Sequence, residues 1–225
     1  GVTMDRIVVA NHMTSLDVHP GMKLWLPGGA LVALRDQTAP KQLKQVDEGD
    51  LPPLGPNEHY ELVPRSRWTR QAVGGNNQRM GGVSRLTIHH SGEHEGLAGL
   101  PDIEVIRRIE NYHRNARSKG GRGWAAIGYH YLIGKDGKVY EGRPVKYQGA
   151  HVSGDNSNNV GISVIGDFNH QLPSRRQLAA LTAFLGDTRG RFRVPMNRVY
   201  GHRDLNASIC PGNALYGWLK KYKKA

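Results

Sequence analysis

The chain has 225 residues, 38% hydrophobic and 22% charged, and its 31 Lys plus Arg against 19 Asp plus Glu give a formal net charge of +12. That length exceeds the roughly 100 to 150 residues of a common domain, so one full domain with a smaller attachment is expected, and no apolar run approaches the roughly 20 residues that span a bilayer, which excludes a helical membrane span. The charge favours anionic partners, but the basic residues are scattered apart from Lys220, Lys221, Lys223 and Lys224, so a nucleic-acid reader, which needs a dense basic helix or a recognisable module, is disfavoured.

In chain order, Gly1-Val-Thr-Met-Asp-Arg-Ile7, Ala10-Asn11 and His19-Pro-Gly-Met-Lys-Leu-Trp-Leu-Pro27 resemble the second half of a LysM module, and the resemblance implies glycan binding by residues 1–34. A plainer reading stands beside it, a short helix and strand docked on the main domain, because about 30 residues bury little apolar surface alone. Residues 35–58 mix charge with Pro40, Pro52, Pro53 and Pro56 and lack apolar periodicity, as expected of a semi-extended linker. The main domain is then 59–225.

Within it, Arg85 to His90, Tyr129 to Gly134, Lys138 to Glu141 and Asn159 to Gly166 read as strands, with Lys135-Asp136-Gly137 as a hairpin turn. Ile103, Ile106, Ile109 and Tyr112 recur at helical spacing ahead of a stop at Gly120-Gly121. Ser174 and Gln177 form a capping-box pattern before Leu178, Leu181 and Leu185. A last helix starts near Asn213 and carries Leu215, Trp218 and Leu219. Strands interleaved with helices predict an α/β fold, a sheet covered by helices, with the strand pairings left open.

Three residues stand out as metal ligands, His89, His202 and Cys210. Zinc favours imidazole and thiolate, and three protein ligands leave a fourth position where a water is acidified to a pKa of about 7. Cys210 is the only cysteine, so no intrachain disulfide competes for it. Spacing alone also allows a small buried thiol and two hydrogen-bonded histidines. His89 and His90 are adjacent on a strand and point to opposite faces, so only one readily reaches an ion; His90 and His130 read as structural.

The motifs Pro64-Arg-Ser-Arg-Trp68, Leu86-Thr-Ile-His-His-Ser91, Gly128-Tyr-His-Tyr-Leu-Ile-Gly134, Asp136-Gly-Lys-Val-Tyr-Glu-Gly-Arg143, Gly149-Ala-His-Val152, Asn159-Val-Gly-Ile-Ser-Val-Ile-Gly-Asp-Phe168, Gly201-His-Arg-Asp204 and Cys210-Pro-Gly212 together resemble the zinc amidases related to peptidoglycan recognition proteins and phage lysozyme-type amidases. The resemblance spans roughly residues 60–220. It implies a central mixed β-sheet flanked by helices, and hydrolysis of the amide between the lactyl group of N-acetylmuramic acid and L-alanine of the stem peptide by zinc-activated water. It also implies His89, His202 and Cys210 as ligands and Tyr129 and Ser208 as residues that assist catalysis. An ordinary tyrosine titrates near 10 and is a poor base, so Tyr129 is expected to donate a hydrogen bond to the tetrahedral oxyanion or to position the water. Ser208 stands where relatives carry Lys, Thr or Ser. No acid is an evident general base, although Glu93, Glu95 and Glu141 lie in neighbouring segments.

His151, Trp124 and Asn156 lie in loops that match the substrate groove of the family and are expected to touch substrate, the alternatives being a loop-filling histidine and a core tryptophan. The implied partner is bacterial peptidoglycan, with anionic wall polymers as a further partner for the positive charge. The implied location is secreted, periplasmic or wall-associated. A non-catalytic peptidoglycan receptor of the same fold is the alternative function; such relatives typically lose the thiolate ligand.

Overall fold

The computed structural model describes residues 23–26, 30–33, 60–92, 97 and 99–224. Strands β1 (Lys23–Leu26) and β2 (Ala30–Ala33) pair antiparallel. The rest of the expected LysM-like segment, the linker at 35–58, and Glu93 and Glu95 lie outside the described residues.

A six-stranded sheet organises the remainder. Its strands are β3 (Leu62–Val63), β4 (Arg85–His90), β5 (Tyr131–Ile133), β6 (Val139–Glu141), β7 (Asn159–Val164) and β8 (Val199–Gly201), in the order β3-β6-β5-β7-β4-β8. Only β5 and β6 pair antiparallel, around the turn that Gly137 closes at φ +81; β3 with β6, β5 with β7, β7 with β4 and β4 with β8 run parallel. Parallel interior strands are covered on both faces, and β7 is buried along its whole length.

Among the described residues, three α-helices cover the sheet. Helix α1 (Asp102–Arg114) lays Val105, Ile106 and Ile109 against Trp68, Leu132, Tyr140 and Ile165 on one side. Helices α2 (Arg175–Phe192) and α3 (Asn213–Tyr222) close the other side, where Leu181, Phe184, Leu185, Leu215 and Leu219 meet Leu86, Ile88, Ile162 and Val164. Because side chains alternate along a strand, Leu86 and Ile88 enter the α2/α3 core while Thr87 and His89 are turned towards the α1 side.

The structure differs from the sequence expectation at several ends. Helix α1 stops at Arg114, ahead of Gly120-Gly121, and a 3-10 turn at Arg117–Lys119 follows. The returning chain supplies the reason: the amides of Arg122, Gly123 and Trp124 donate to the carbonyls of Tyr112, Asn115 and His113, so the helix end is satisfied early. Strand β5 begins at Tyr131, two residues after Tyr129. Strands β3 and β8, of two and three residues, were not expected; β5 and β6 are also only three residues long but are marked by the turn between them.

Two cations, the partly buried Arg65 and the buried Arg143, hold the segments around Tyr129. Arg65 pairs with Glu110, which is almost fully buried, and its guanidinium covers the Trp68 ring at 4.9 Å. Arg143 donates to the carbonyls of Ile127, Gln148 and Ala126 at 2.9, 2.8 and 2.9 Å, tying the chain before Tyr129 to the loop before His151. Burial lowers the Arg143 guanidinium to about 10, with Arg65 and Arg114 adding to the shift.

Candidate metal centre

His89 sits near the end of β4 and is 1% exposed. Strand β8 pairs Gly201 with Ile88, so His202, the next residue, emerges level with His89, and the two rings lie 4.7 Å apart between centroids. Gly201 lets the Tyr216 ring approach closely, since a Cβ there would stand 2.9 Å from it.

The loop that returns Cys210 to this point is closed by its own hydrogen bonds. The Arg203 amide donates to the Cys210 carbonyl at 3.0 Å, the Arg203 guanidinium donates to the Ile209 carbonyl and to Asn213 Oδ1, and Asp204 accepts from the Gly201 amide at 2.7 Å. The buried Cys210 Sγ then faces His89 Nδ1 at 3.6 Å and accepts the His90 amide at 3.4 Å.

Ligand atoms of His89, His202 and Cys210 all lie within 4.8 Å of one another. A tetrahedral zinc with bonds of about 2.3 Å to sulfur and about 2.0 to 2.1 Å to nitrogen sets a sulfur-to-nitrogen edge of about 3.6 Å, which the Cys210 to His89 separation matches. Burial holds the His89 imidazole well below its ordinary range, with smaller contributions from His151, His202 and His90. It is therefore neutral, as a metal ligand must be.

Tyr129 is half-buried beside this group, its ring 5.2 Å from that of His89 and 5.8 Å from that of His113. Its carbonyl accepts the Arg143 amide at 2.8 Å. Ser208 lies on the Cys210 loop, where its Oγ accepts the Cys210 amide at 3.1 Å. The hydroxyl proton is not used by that contact.

The three expected substrate contacts are placed differently from one another. Trp124 is half-buried and stacks on His113 at 4.7 Å, with the Arg122 guanidinium 5.9 Å from its ring. Asn156 spends its carbonyl oxygen on the amides of His151 and Val152 at 2.8 and 2.9 Å, so that atom holds the loop. His151, expected against peptide, is buried: its Nδ1 lies 3.0 Å from His89 Nε2 and its Nε2 lies 3.1 Å from the Asn159 carbonyl. Both ring nitrogens are thereby occupied inside the protein. Burial also drives this imidazole well below the ordinary histidine range, aided by His130.

Two structural readings agree with the contacts. The His90 ring turns to the α2/α3 side, where Nδ1 accepts the Phe168 amide at 3.3 Å and Asp167 lies 3.5 Å away. His130 accepts the Gly161 amide at Nδ1 and meets the Tyr147 carbonyl at Nε2. Glu141 accepts the Arg65 amide at 3.1 Å from β6, which two strands separate from β4. Sequence reasoning did not single out His113, which contacts both Tyr129 and Trp124 and accepts the Gly128 amide at 3.1 Å. Nothing distinguishes it from any other residue of an amphipathic helix.

Against known proteins, residues 77–213 match the family model described as N-acetylmuramoyl-L-alanine amidase, and the chain belongs to that family. It is 30% identical over 162 residues to peptidoglycan-recognition protein SC2 of Drosophila simulans, covering 72% of this chain and 85% of that one. It is 32% identical over 169 residues to peptidoglycan recognition protein 1 of Mus musculus, covering 72% and 87%. The solved ectodomain complex of peptidoglycan recognition proteins LCa and LCx bound to tracheal cytotoxin superposes with a TM-score of 0.62 at 32% identity, over 72% of this chain and 95% of that chain.

Proposed function

We propose that this protein is a zinc-dependent amidase that hydrolyses the bond between the lactyl group of N-acetylmuramic acid and L-alanine of the peptidoglycan stem. The observation that carries the reading is Cys210 Sγ facing His89 Nδ1 at 3.6 Å, with His202 beside them. Zinc held there would supply a Lewis acid and lower the pKa of water to about 7. The chain's own residues do the rest. Tyr129 donates a hydrogen bond from its hydroxyl to the carbonyl oxygen of the scissile amide as that oxygen gains charge. Ser208, anchored through its oxygen by the Cys210 amide, keeps an O–H free to donate towards the same oxygen. Trp124 and His113 offer an aromatic wall next to Tyr129 on which the muropeptide packs.

Residues 1–34 are proposed as a wall-binding attachment joined by a linker at 35–58. The net charge of +12 supports adhesion to anionic wall polymers, with action outside the cytoplasm. Among the described residues no helix is long and apolar enough to cross a membrane. The rival reading, recognition without cleavage, is favoured by the recognition proteins among the relatives. Mass spectrometry of purified peptidoglycan incubated with the zinc-loaded protein separates the two. Release of stem peptides with a free L-alanine amine supports the amidase. Tight sedimentation with the wall and no such product would establish the receptor instead.

A further inference from the structure

The expected peptide contact, His151, has a different partner, the back of the first metal ligand. Its Nε2 stands 3.1 Å from the Asn159 carbonyl, its Nδ1 3.0 Å from His89 Nε2, and His89 Nδ1 3.6 Å from Cys210 Sγ. A carbonyl oxygen only accepts, so the His151 proton is on Nε2. In the neutral ring Nδ1 is then a lone pair. That lone pair requires a donor opposite, which places the His89 proton on Nε2 and leaves the His89 Nδ1 lone pair aimed at the Cys210 sulfur.

We propose that His151 is a positioning residue that selects the ligating tautomer of His89 and holds its ring square to the metal site. The relay runs Asn159 carbonyl, His151, His89, with each proton pointing away from the ion. A free imidazole divides itself between two tautomers and rotates. Here only the form with an open Nδ1 satisfies the contacts to His151 and the Asn159 carbonyl, and it leaves Nδ1 and the Cys210 sulfur facing one another as two donors to one cation.

The surroundings are shaped for this ring. A Cβ at Gly161 would stand 2.5 Å from His151 Cγ, and one at Gly149 would stand 2.5 Å from His151 Cδ2. Asn156 fixes the His151 amide, and Asn159 is itself held through Thr87, whose hydroxyl donates to Asn159 Oδ1 at 2.9 Å. Thr87 and His89 share one face of β4, so ligand and supporting carbonyl are tied to the same strand pair. The backing partner of a metal-bound histidine is more often a carboxylate or carbonyl, and losing such a partner typically lowers metal affinity roughly 10- to 100-fold. A neutral histidine in that place supports the tautomer without adding charge to the centre.

The inference rests on the zinc reading, and the experiment keeps the two apart. Zinc affinity is measured by chelator competition for the full chain and for the His151→Phe and His151→Asn variants, with thermal melting of each. Phenylalanine keeps the ring volume and removes the acceptor; asparagine returns an oxygen near the Nδ1 position. The expected result is affinity lowered roughly 10- to 100-fold in His151→Phe and restored to within a few-fold of the parent in His151→Asn. Equal zinc affinity in the parent and a folded His151→Phe variant overturns the proposal. An unmodified chain that binds no zinc overturns the metal reading itself. Long-range 1H–15N spectra of the metal-free parent need no variant: protons on Nε2 of both His89 and His151 support the relay, and a proton on His89 Nδ1 refutes it.

Discussion

His89 and Cys210 stand 121 positions apart in the chain, yet Nδ1 of one faces Sγ of the other at 3.6 Å. The loop of Cys210 reaches β4 because β8 delivers His202 alongside and because Arg203 and Asp204 close the return. The fold is held by packing that does not involve this contact, namely Leu86, Ile88, Leu215 and Leu219 on the far face of the sheet. Changing Cys210 to Ala is therefore expected to abolish stoichiometric zinc and hydrolysis while the metal-free melting temperature changes by only a few degrees. Zinc analysis after dialysis, run beside calorimetry, checks it. Full zinc occupancy in the variant would remove Cys210 from the ligand set.

Tyr129 approaches the same centre from the segment before β5, with its ring 5.2 Å from His89. If its hydroxyl acts mainly on the developing oxyanion, Tyr129→Phe lowers kcat on the order of 100-fold and leaves KM within a few-fold, because the lost interaction belongs to the transition state. Zinc content should not change. A rise in KM at constant kcat would instead make Tyr129 a substrate-binding residue.

Much of this arrangement was legible in the residues, for identifiable reasons. Strand β4 is continuous and six residues long, with Leu86 and Ile88 alternating with Thr87 and His89, so Arg85 to His90 could be delimited, and the same alternation separated His89 from His90. The candidate ligands His89, His202 and Cys210 followed from residue chemistry combined with motif order, and their ligand atoms lie within 4.8 Å of one another. The role of His151 was not legible, because a glycine-flanked histidine reads as a loop residue until the ring is seen wedged between Gly149 and Gly161. Nor was the fate of Asn156, since an exposed-looking amide and one that caps two backbone amides have the same sequence signature. Strand β8 was missed because no hairpin turn flags it, whereas β5 and β6, equally short, flank the Lys135-Asp136-Gly137 turn; yet β8 positions His202.

Helix α2 starts with a complete capping box. Ser174 Oγ accepts the Gln177 amide at 3.1 Å and Gln177 Oε1 accepts the Ser174 amide at 3.1 Å, while Gln177 Nε2 reaches the Ile165 carbonyl at 2.8 Å. Ser174→Ala removes one of the two reciprocal bonds in a buried setting. The expected cost is about 1 kcal/mol, a fall of about 2 to 4 °C in melting temperature for a domain of this size. Zinc affinity should be unaffected, since no ligand contacts this cap. A variant as stable as the parent would show that water replaces the cap at no cost.

His130 gives the chain a pH dependence separable from the metal. Its ring is fully buried, with Nδ1 accepting the Gly161 amide at 2.9 Å and Nε2 facing the Tyr147 carbonyl at 3.0 Å. Burial pushes the imidazole down to about 4, partly offset by the Tyr147 carbonyl and reinforced by Arg143. A second proton would also set a donor against the Gly161 amide. The unfolded chain takes up its proton near 6.5 and the folded chain only near 4. The His130 contribution is therefore whole above pH 6.5, declines as the pH falls towards about 4, and is constant below that. The full loss is bounded by about 3 kcal/mol. Denaturant titrations of metal-free protein at several pH values across this window should show the decline. His89 and His151 shift in the same direction and add to it in any variant. His130→Gln, which loses the titrating ring, should be less stable than the parent at pH 7 yet lose stability less steeply towards pH 4. Parallel pH profiles for parent and variant would mean that His130 does not contribute to the acid sensitivity.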